Sequence, residues 1–206
     1  MTVPRNVSPA IDREALAATL RERILTSSDV KRQLADEVGD AVAVAAALVE
    51  AILAGHKLLL FGNGGSAADA QHIAAELIGH YYLERRSLPA LALTVDTSAL
   101  TAIGNDYSFD QVFARQLDAL GQPGDVAIGL STSGNSRNVV EALRVAKRKG
   151  LVTVAMTGRN GGAAAEIADI CVCIPSTDTP RIQESHILLG HVWAEIIEAA
   201  VVAAEQ

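Results

Sequence analysis

From Lys57 onward the chain alternates short apolar runs with stretches of helical periodicity, and this alternation constrains the fold more than any other feature. Runs that are apolar at every position are typical of strands buried on both faces. Strands that alternate with helices form repeated βα units and a mainly parallel sheet. The pattern predicts five strands, at residues 58–61, 90–95, 126–130, 152–157 and 170–174.

Helical periodicity fills the segments between these runs and continues on both sides of them. Helices are predicted at residues 66–78, 111–120, 139–149 and 163–167, with a long last helix at 182–204. Two further helices, at 12–25 and 28–54, precede the first strand, the second capped by Ser27, Ser28 or Asp29 and ended by Gly55. We therefore predict an α/β fold: a doubly wound, mainly parallel five-stranded sheet flanked by helices, with N-terminal helices and a long C-terminal helix.

The length of 206 residues suits one such domain, which we assign to residues 1–206. Hydrophobic residues make up 50% of the chain but aromatic residues only 3%, so the core must be built from alanine, valine, leucine and isoleucine. The second half of the helix at 28–54 is apolar on nearly all sides. Another copy of the chain is expected to cover it, so residues 12–54 are predicted to serve oligomerisation.

Charge and hydropathy argue against two classes of partner. The formal net charge is -7 and the longest basic run is 147–149, so no nucleic-acid partner is expected. Residues 1–9 are polar, contain two prolines and lack the apolar centre of a signal peptide, which indicates a disordered leader. Residues 41–54 are too short for a membrane span and include Glu50. We expect no membrane partner and a cytoplasmic location.

The two cysteines, Cys171 and Cys173, lie two positions apart in a predicted strand, so their side chains should share one face of the sheet. Buried free thiols are the expected state. A metal or redox pair is the alternative, but no second pair of ligands lies nearby in the sequence.

Three turns of small polar residues, at 62–66, 96–98 and 131–136, follow the first three strands. Ligands of doubly wound sheets bind at the carboxyl ends of the strands, so these turns are expected to form one site. The third, Ser131-Thr132-Ser133-Gly134-Asn135-Ser136, is here named the serine turn. Its hydroxyls and the following helix start are suited to an anion, and we expect a sugar phosphate. Taken alone, such a turn is also compatible with an ordinary loop, and its position after a strand favours the anion site.

Two predicted helices carry groups suited to proton transfer. His72 and Glu76 are four residues apart and therefore neighbours on one helical face, and Gln183 and His191 lie on broadly one side of the last helix. Each pair alone is compatible with a surface contact. Because apolar residues flank both pairs, and ionisable groups on partly buried faces are costly unless used, we interpret them together as one site.

The order and spacing of these segments resemble the bacterial phosphoheptose isomerases of the sugar-isomerase (SIS) superfamily. The segments that carry the resemblance are GNGGSAADAQH at 62–72, Ala75-Glu76, Gly104-Asn105-Asp106, the serine turn, and RIQE at 181–184 with His191. The resemblance covers nearly the whole chain. It implies the SIS fold, a homotetramer with active sites at subunit interfaces, and interconversion of sedoheptulose 7-phosphate and D-glycero-D-manno-heptose 7-phosphate for surface polysaccharide.

The same resemblance implies roles for individual residues. It makes Glu76 and His191 the acid/base pair, with the phosphate held by hydroxyls of the serine turn. The implied contacts to the phosphorylated seven-carbon sugar come from Asn63, Gly64, Gly65, Ser66, Asp96, Thr97, Ser131, Thr132, Ser133, Ser136 and Gln183. Some members bind zinc through residues matching His72, Glu76, Gln183 and His191, and no organic cofactor is implied.

Aldose-ketose isomerisation fits these groups chemically, because it needs a base at carbon and a proton shuttle at the oxygens. We expect Glu76 to be the carbon base and His191 the shuttle, with the reverse assignment open. Zinc would polarise the carbonyl, while a metal-free acid/base site is the alternative. One departure is Pro180, where some family members carry an aspartate; Asp178 lies nearby.

Three alternatives remain at this point. The first is the related SIS protein that binds the bacterial replication initiator, a branch without the acid/base pair and with an arginine at the position of Ser133. The second is a sugar-phosphate-sensing regulator, disfavoured because the chain has no basic recognition helix. The third is a pentose-phosphate isomerase, which is disfavoured because the chain leaves no length for its regulatory modules.

Overall fold

The apolar runs form five strands that pair side by side in one sheet, described over residues 11–206 in a computed structural model. The strands are β1 (Leu58–Gly62), β2 (Ala90–Ala92), β3 (Val126–Ser131), β4 (Val152–Gly158) and β5 (Ile170–Ile174). Their order is β2-β1-β3-β4-β5, and every neighbouring pair is parallel. The leader expected at residues 1–9 lies outside the described residues.

Helices cover both faces of the sheet. Those described are α1 (Arg13–Asp36), α2 (Gly39–Leu53), α3 (Gly65–Ile78), α4 (Thr97–Asp106), α5 (Ala114–Leu120), α6 (Arg137–Arg148), α7 (Gly162–Ile167) and α8 (Thr179–Ala204), with a short 3-10 helix at Phe109–Gln111. Residues of α2, α3 and α8 form the core on one face, and residues of α5, α6 and α7 form it on the other. The predicted doubly wound α/β architecture is confirmed.

The central strand β1 shows why its sequence lacks alternation. Leu58 and Leu60 belong to the core on one face, Leu59 and Phe61 to the core on the other, and all four are fully buried. Successive side chains of a strand point to opposite faces, so a strand covered on both faces must be apolar at every position.

The predicted division of the N-terminal helices is wrong. α1 continues without a break through Ser27 to Asp36, and the chain leaves the helix at Glu37. Ser27 does not cap a new helix, because its hydroxyl donates to Glu184 on α8 at 2.6 Å. At the end of α2 the prediction holds: Ala54 is the C-cap and Gly55 follows with φ 86°.

The chain after β2 also differs from expectation. β2 ends at Ala92, before the predicted end at residue 95. Asp96 caps α4, a helix that begins in the predicted turn at 96–98 and continues through residues to which no element was assigned. The Asp96 carboxylate accepts the Ala99 N–H at 2.9 Å, which satisfies one of the free donors at the helix start. The helix predicted from residue 111 begins at Ala114, because the 3-10 turn precedes it.

The cysteines share a face of β5 as predicted, with their Sγ atoms 3.6 Å apart, and both are free thiols. The expected burial is wrong for Cys173, which is exposed on β5, the edge strand of the sheet. Burial raises the pKa of Cys171 to about 12, so it remains a protonated thiol.

Helix α8 alone among the described helices has the length and apolar composition of a membrane span. Its contacts are those of a core helix, because it packs against α2 and α3 and buries Arg181 and Glu198 within the fold. Apolar residues on another side, among them Val192 and Ile196, stay exposed beside α2.

Candidate active site

The site lies where the order of the strands reverses. From β1 the chain passes to β2 on one side of the sheet and later returns to place β3 on the other. The loops after β1 and β3 diverge at such a point and leave a crevice at the carboxyl ends of the strands. Asn63, in the loop after β1, and Asn138, in the first turn of α6, are joined by reciprocal side-chain hydrogen bonds of 2.9 and 2.8 Å.

The serine turn continues directly from β3. Ser131 is buried at the strand end, and its hydroxyl donates to Ser136 Oγ at 3.0 Å. Ser133 is exposed, and its Oγ accepts the Asn135 N–H at 3.1 Å. Ser136 is the N-cap of α6, but its side chain makes no capping hydrogen bond. The turn thus presents hydroxyls at the start of a helix, an arrangement suited to an anion.

A second turn, between β4 and α7, supports the serine turn from behind. Gly134 has φ 68°, and a Cβ added there would lie 1.8 Å from the carbonyl oxygen of Gly161. The Gly134 carbonyl accepts the Ala164 N–H at 2.9 Å, and the Asn135 side chain accepts the Ala163 N–H at 3.1 Å. Position 134 therefore has no room for a side chain.

The predicted proton-transfer residues converge across α3 and α8. His72 Nε2 lies 3.0 Å from Glu76 Oε1 on the same helix and 3.0 Å from His191 Nε2 on α8. One ligand atom from each of the three side chains lies within 4.8 Å of the others. We call this group the His-Glu-His cluster. It is partly exposed, so solutes can reach it.

The His-Glu-His cluster fits zinc by the chemistry of its donors. Two imidazole nitrogens and one carboxylate oxygen are the three protein ligands of many catalytic zinc sites, which keep one position open for water or substrate. The cluster also fits acid/base chemistry without a metal.

Asp69 adds a second carboxyl group on α3, one turn before His72. Burial raises the pKa of Asp69 to about 6, although the nearby His72 acts in the opposite direction. Its Oδ2 atom is buried and has no hydrogen-bond partner within residues 11–206. A carboxyl group with these properties exchanges its proton near neutral pH.

The remaining predicted substrate contacts divide into two groups. In the first group, the side chain of Gln183 extends from α8 to the start of α3. Its Nε2 atom would lie 2.5 Å from a Cβ added at Gly65. Gly64 precedes the helix with φ 56°, and Ser66 is buried in its first turn. Asp96 and Thr97 form the second group: they are exposed at the start of α4, and the Asp96 carboxylate caps that helix.

Besides Asp69, the sequence analysis missed two further residues of this region. Asn138 had a usable signal, because it follows a strand at the same sheet edge as Asn63. Tyr81 had none: it comes after α3 has ended, and its ring stacks on His191 with centroids 5.8 Å apart and planes at 22°.

Comparisons with known proteins agree with the fold. The family model for the SIS domain matches residues 23–158. A phosphoheptose isomerase of Akkermansia muciniphila is 52% identical over 88% of this chain and 96% of its own length. One of Sulfurimonas denitrificans is 61% identical over 70% of this chain and 74% of its own. The solved phosphoheptose isomerase of Neisseria gonorrhoeae superposes with a TM-score of 0.84 at 44% identity, covering 89% of this chain and 99% of that one.

Proposed function

The chain belongs to the SIS domain family and is an isomerase of the phosphoheptose type, and from that premise we propose that it interconverts sedoheptulose 7-phosphate and D-glycero-D-manno-heptose 7-phosphate. The observation that carries the proposal is the His-Glu-His cluster, which brings a carboxylate and two imidazoles together on α3 and α8. The product is proposed to serve surface-polysaccharide synthesis in the cytoplasm.

The chemical step moves one proton between neighbouring carbons. Glu76 removes a proton from C1 of the ketose, which forms an enediol, and returns it to C2 of the aldose. His191 takes the proton from the C1 hydroxyl and delivers it to the oxygen on C2, so atoms and charge balance. The reverse assignment of the two residues uses the same geometry. Both are within reach of one substrate, because His72 contacts each of them at 3.0 Å.

We propose that zinc is held by His72, Glu76, Gln183 and His191. Bound there, the ion would polarise the substrate carbonyl and stabilise negative charge on the enediolate. Glu76 has two carboxylate oxygens, so one can serve a metal while the other accepts a proton. Two imidazoles and a carboxylate support the assignment, whereas an amide such as Gln183 is the weakest ligand of the four.

Recognition of the substrate is assigned to the loops around the crevice. The hydroxyls of Ser131, Thr132, Ser133 and Ser136 are proposed to hold the phosphate, supported by the free helix start after the turn. The sugar chain is proposed to contact Asn63, Gly64, Gly65, Ser66, Asp96, Thr97 and Gln183. The Asn63 side chain supports this role because its bonds to Asn138 fix its orientation.

We also propose that the chain is a single domain that acts as a homotetramer with active sites at subunit interfaces. Support comes from an apolar groove of about 680 Å³ between α2 and α8, lined by side chains such as Val42, Trp193 and Ile196. Val42 is 60% exposed in the single chain, and exposed apolar side chains also run along α1. A contiguous apolar surface of this kind is typical of an interface between copies.

The test is a discontinuous assay of the purified protein with sedoheptulose 7-phosphate, read as aldose formed. Ribulose, arabinose and fructose phosphates are tested as alternative substrates in separate, parallel reactions. We expect turnover of the seven-carbon substrate at least tenfold above the others, since the site is proposed to be built for it. Turnover of a shorter sugar phosphate alone would change the substrate, and turnover of none would favour the non-catalytic SIS protein that binds the replication initiator.

A further inference from the structure

A buried carboxylate on α8 holds the loop that follows α3. Glu198 is 1% exposed, and its two oxygens accept the backbone N–H groups of Tyr81, Tyr82 and Leu83 at 2.8, 2.6 and 2.8 Å. Glu198 follows His191 by seven residues, which is two helical turns, so both side chains project from the same side of α8. The loop after α3 is therefore anchored to the face of α8 that carries His191.

A buried arginine in the same loop holds the end of α3. The Arg85 side chain is fully buried, and its Nη1 donates to the carbonyls of Leu77, Gly79 and Arg86 at 2.9, 3.0 and 2.9 Å. Its Nη2 donates to the carbonyl of Glu76 at 2.9 Å. These bonds satisfy carbonyls that the last turn of a helix leaves free. Arg85 thus holds the backbone of a cluster residue directly.

The two buried charges face each other, with Arg85 Nε 3.4 Å from Glu198 Oε1. Most hydrogen bonds of both side chains are made to backbone groups. The pair therefore connects the backbone at the end of α3, bound by Arg85, with the backbone of residues 81–83, bound by Glu198. Burying a charged pair carries a desolvation cost that an apolar contact avoids, so stability alone gives no reason for one here. Tyr81 lies four residues before Arg85, donates its backbone N–H to Glu198, and stacks its ring on His191.

We propose that Arg85 and Glu198 form a positioning clamp for the His-Glu-His cluster. The clamp fixes the end of α3 against α8, which sets the separation of Glu76 and His191, and it holds Tyr81 against the imidazole of His191. Neither clamp residue touches the substrate. This proposal rests on the proposed function, because it assigns the clamp to the same site.

The loop offers a matched control. Arg86 also forms an ion pair, at 2.9 Å, with Glu205, the C-cap of α8, but both side chains are about half exposed. Arg86→Gln therefore removes an ion pair between the same two elements without changing the clamp. The test variant is Arg85→Lys, which keeps the charge beside Glu198 but replaces the guanidinium fork with one ammonium group that cannot hold four carbonyls at once.

The experiment measures zinc affinity by competition with a chelating dye, together with kcat and KM for sedoheptulose 7-phosphate. Groups that orient metal ligands typically contribute about 10–100-fold to affinity or activity. For Arg85→Lys we expect zinc affinity and kcat to fall by about tenfold or more, with KM within about threefold of wild type. Arg86→Gln should stay within about twofold in all three. A folded Arg85→Lys protein that also stays within about twofold overturns the proposal.

Two further measurements keep the outcome decisive. If Arg85→Lys does not fold by circular dichroism, Tyr81→Leu replaces it, with the same direction expected and an unchanged result counting against the clamp. If the wild-type protein neither binds zinc nor isomerises the sugar, the proposed function fails. The clamp is then decided by the ring signals of ¹³C-labelled histidine, which should move for His191 in Arg85→Lys and stay fixed in Arg86→Gln.

Discussion

His72 and His191 face each other across α3 and α8 with their Nε2 atoms 3.0 Å apart. Two imidazole lone pairs repel at this distance unless one nitrogen carries a proton or both face a cation. Because Glu76 Oε1 lies at the same distance from His72, the three groups share either a proton or an ion. The predictions on activity follow from this shared arrangement.

Replacing Glu76 with glutamine should lower kcat for heptose-phosphate formation about a hundredfold or more, because the amide cannot accept the carbon proton. The same change on an exposed carboxylate, Asp118→Asn, serves as the control and should leave kcat within about twofold. Aldose formation by both variants at saturating substrate is the measurement. A Glu76→Gln enzyme within about tenfold of wild type would show that Glu76 is not the general base.

Removing metal should abolish turnover, since two imidazoles and a carboxylate suit zinc. The protein is dialysed against a strong chelator, its zinc content is checked by elemental analysis, and activity is measured before and after zinc is added back. We expect turnover to fall with zinc content and to return with it. Full turnover in zinc-free protein would establish the metal-free acid/base site instead.

Gly134→Ala should weaken substrate binding, because the new Cβ would lie 1.8 Å from the Gly161 carbonyl and φ is 68°. A displacement of about 1 Å in a positioning element can cost up to about a hundredfold, so we expect KM to rise about tenfold or more. Gly39→Ala is the control, since no atom lies within 4 Å of its added Cβ. Equal KM values for the two variants would mean that the serine turn does not bind substrate.

The stability of the fold should fall as the pH drops below 6.5. His186 is fully buried, and burial lowers its pKa to about 4, so it stays neutral in the fold while the unfolded chain takes up a proton at higher pH. The unfolded state then binds more protons, which removes about 2 kcal/mol of unfolding free energy between pH 6.5 and about pH 5. The loss continues to grow below pH 5 and levels off once the pH is below the folded pKa of about 4.

His186→Gln tests this prediction, because glutamine can still donate to the Thr157 carbonyl but does not titrate. The free energy of unfolding is measured with urea at fixed protein concentration over a series of pH values. Between pH 6.5 and about pH 5 it should fall less for the variant than for wild type, by about 2 kcal/mol. Parallel slopes for variant and wild type would remove His186 as the source.

Val42→Glu should dissociate the assembly, because it places a charge in the apolar groove between α2 and α8. Leu120→Glu introduces the same charge at an exposed apolar position outside that groove and should leave the assembly intact. Light scattering during size-exclusion chromatography gives the mass of each. A Val42→Glu protein with the wild-type mass would place the interface elsewhere.

Much of the fold was predictable because the signals are local. Buried strands such as β1 and β3 show unbroken apolar runs, and their ends were predicted to within one residue. The boundary between α1 and α2 was not, because Ser27 looks like a helix cap until Glu184, far away in sequence, takes up its hydroxyl. A local sequence pattern cannot show whether the Ser27 hydroxyl will cap a helix or bind a residue far away in the sequence.

The site divides in the same way. His72 and Glu76 were predictable as neighbours from their spacing on one helix, and the closeness of His191 was expected only by joining two apolar helix faces and a family resemblance. The clamp of Arg85 and Glu198 gave no signal, because a charged residue in a loop or near a helix end is ordinarily exposed. Its burial depends on how α3 and α8 pack.

The position of His191 on α8 has a consequence for the order of events during synthesis. Every other member of the His-Glu-His cluster, and the whole serine turn, leaves the ribosome before α8 does. The crevice can therefore close around no metal or sugar until residue 191 has emerged and α8 has docked against α3. A ribosome-bound chain arrested before α8 lacks His191 and Gln183, so it should bind neither metal nor sugar at this site.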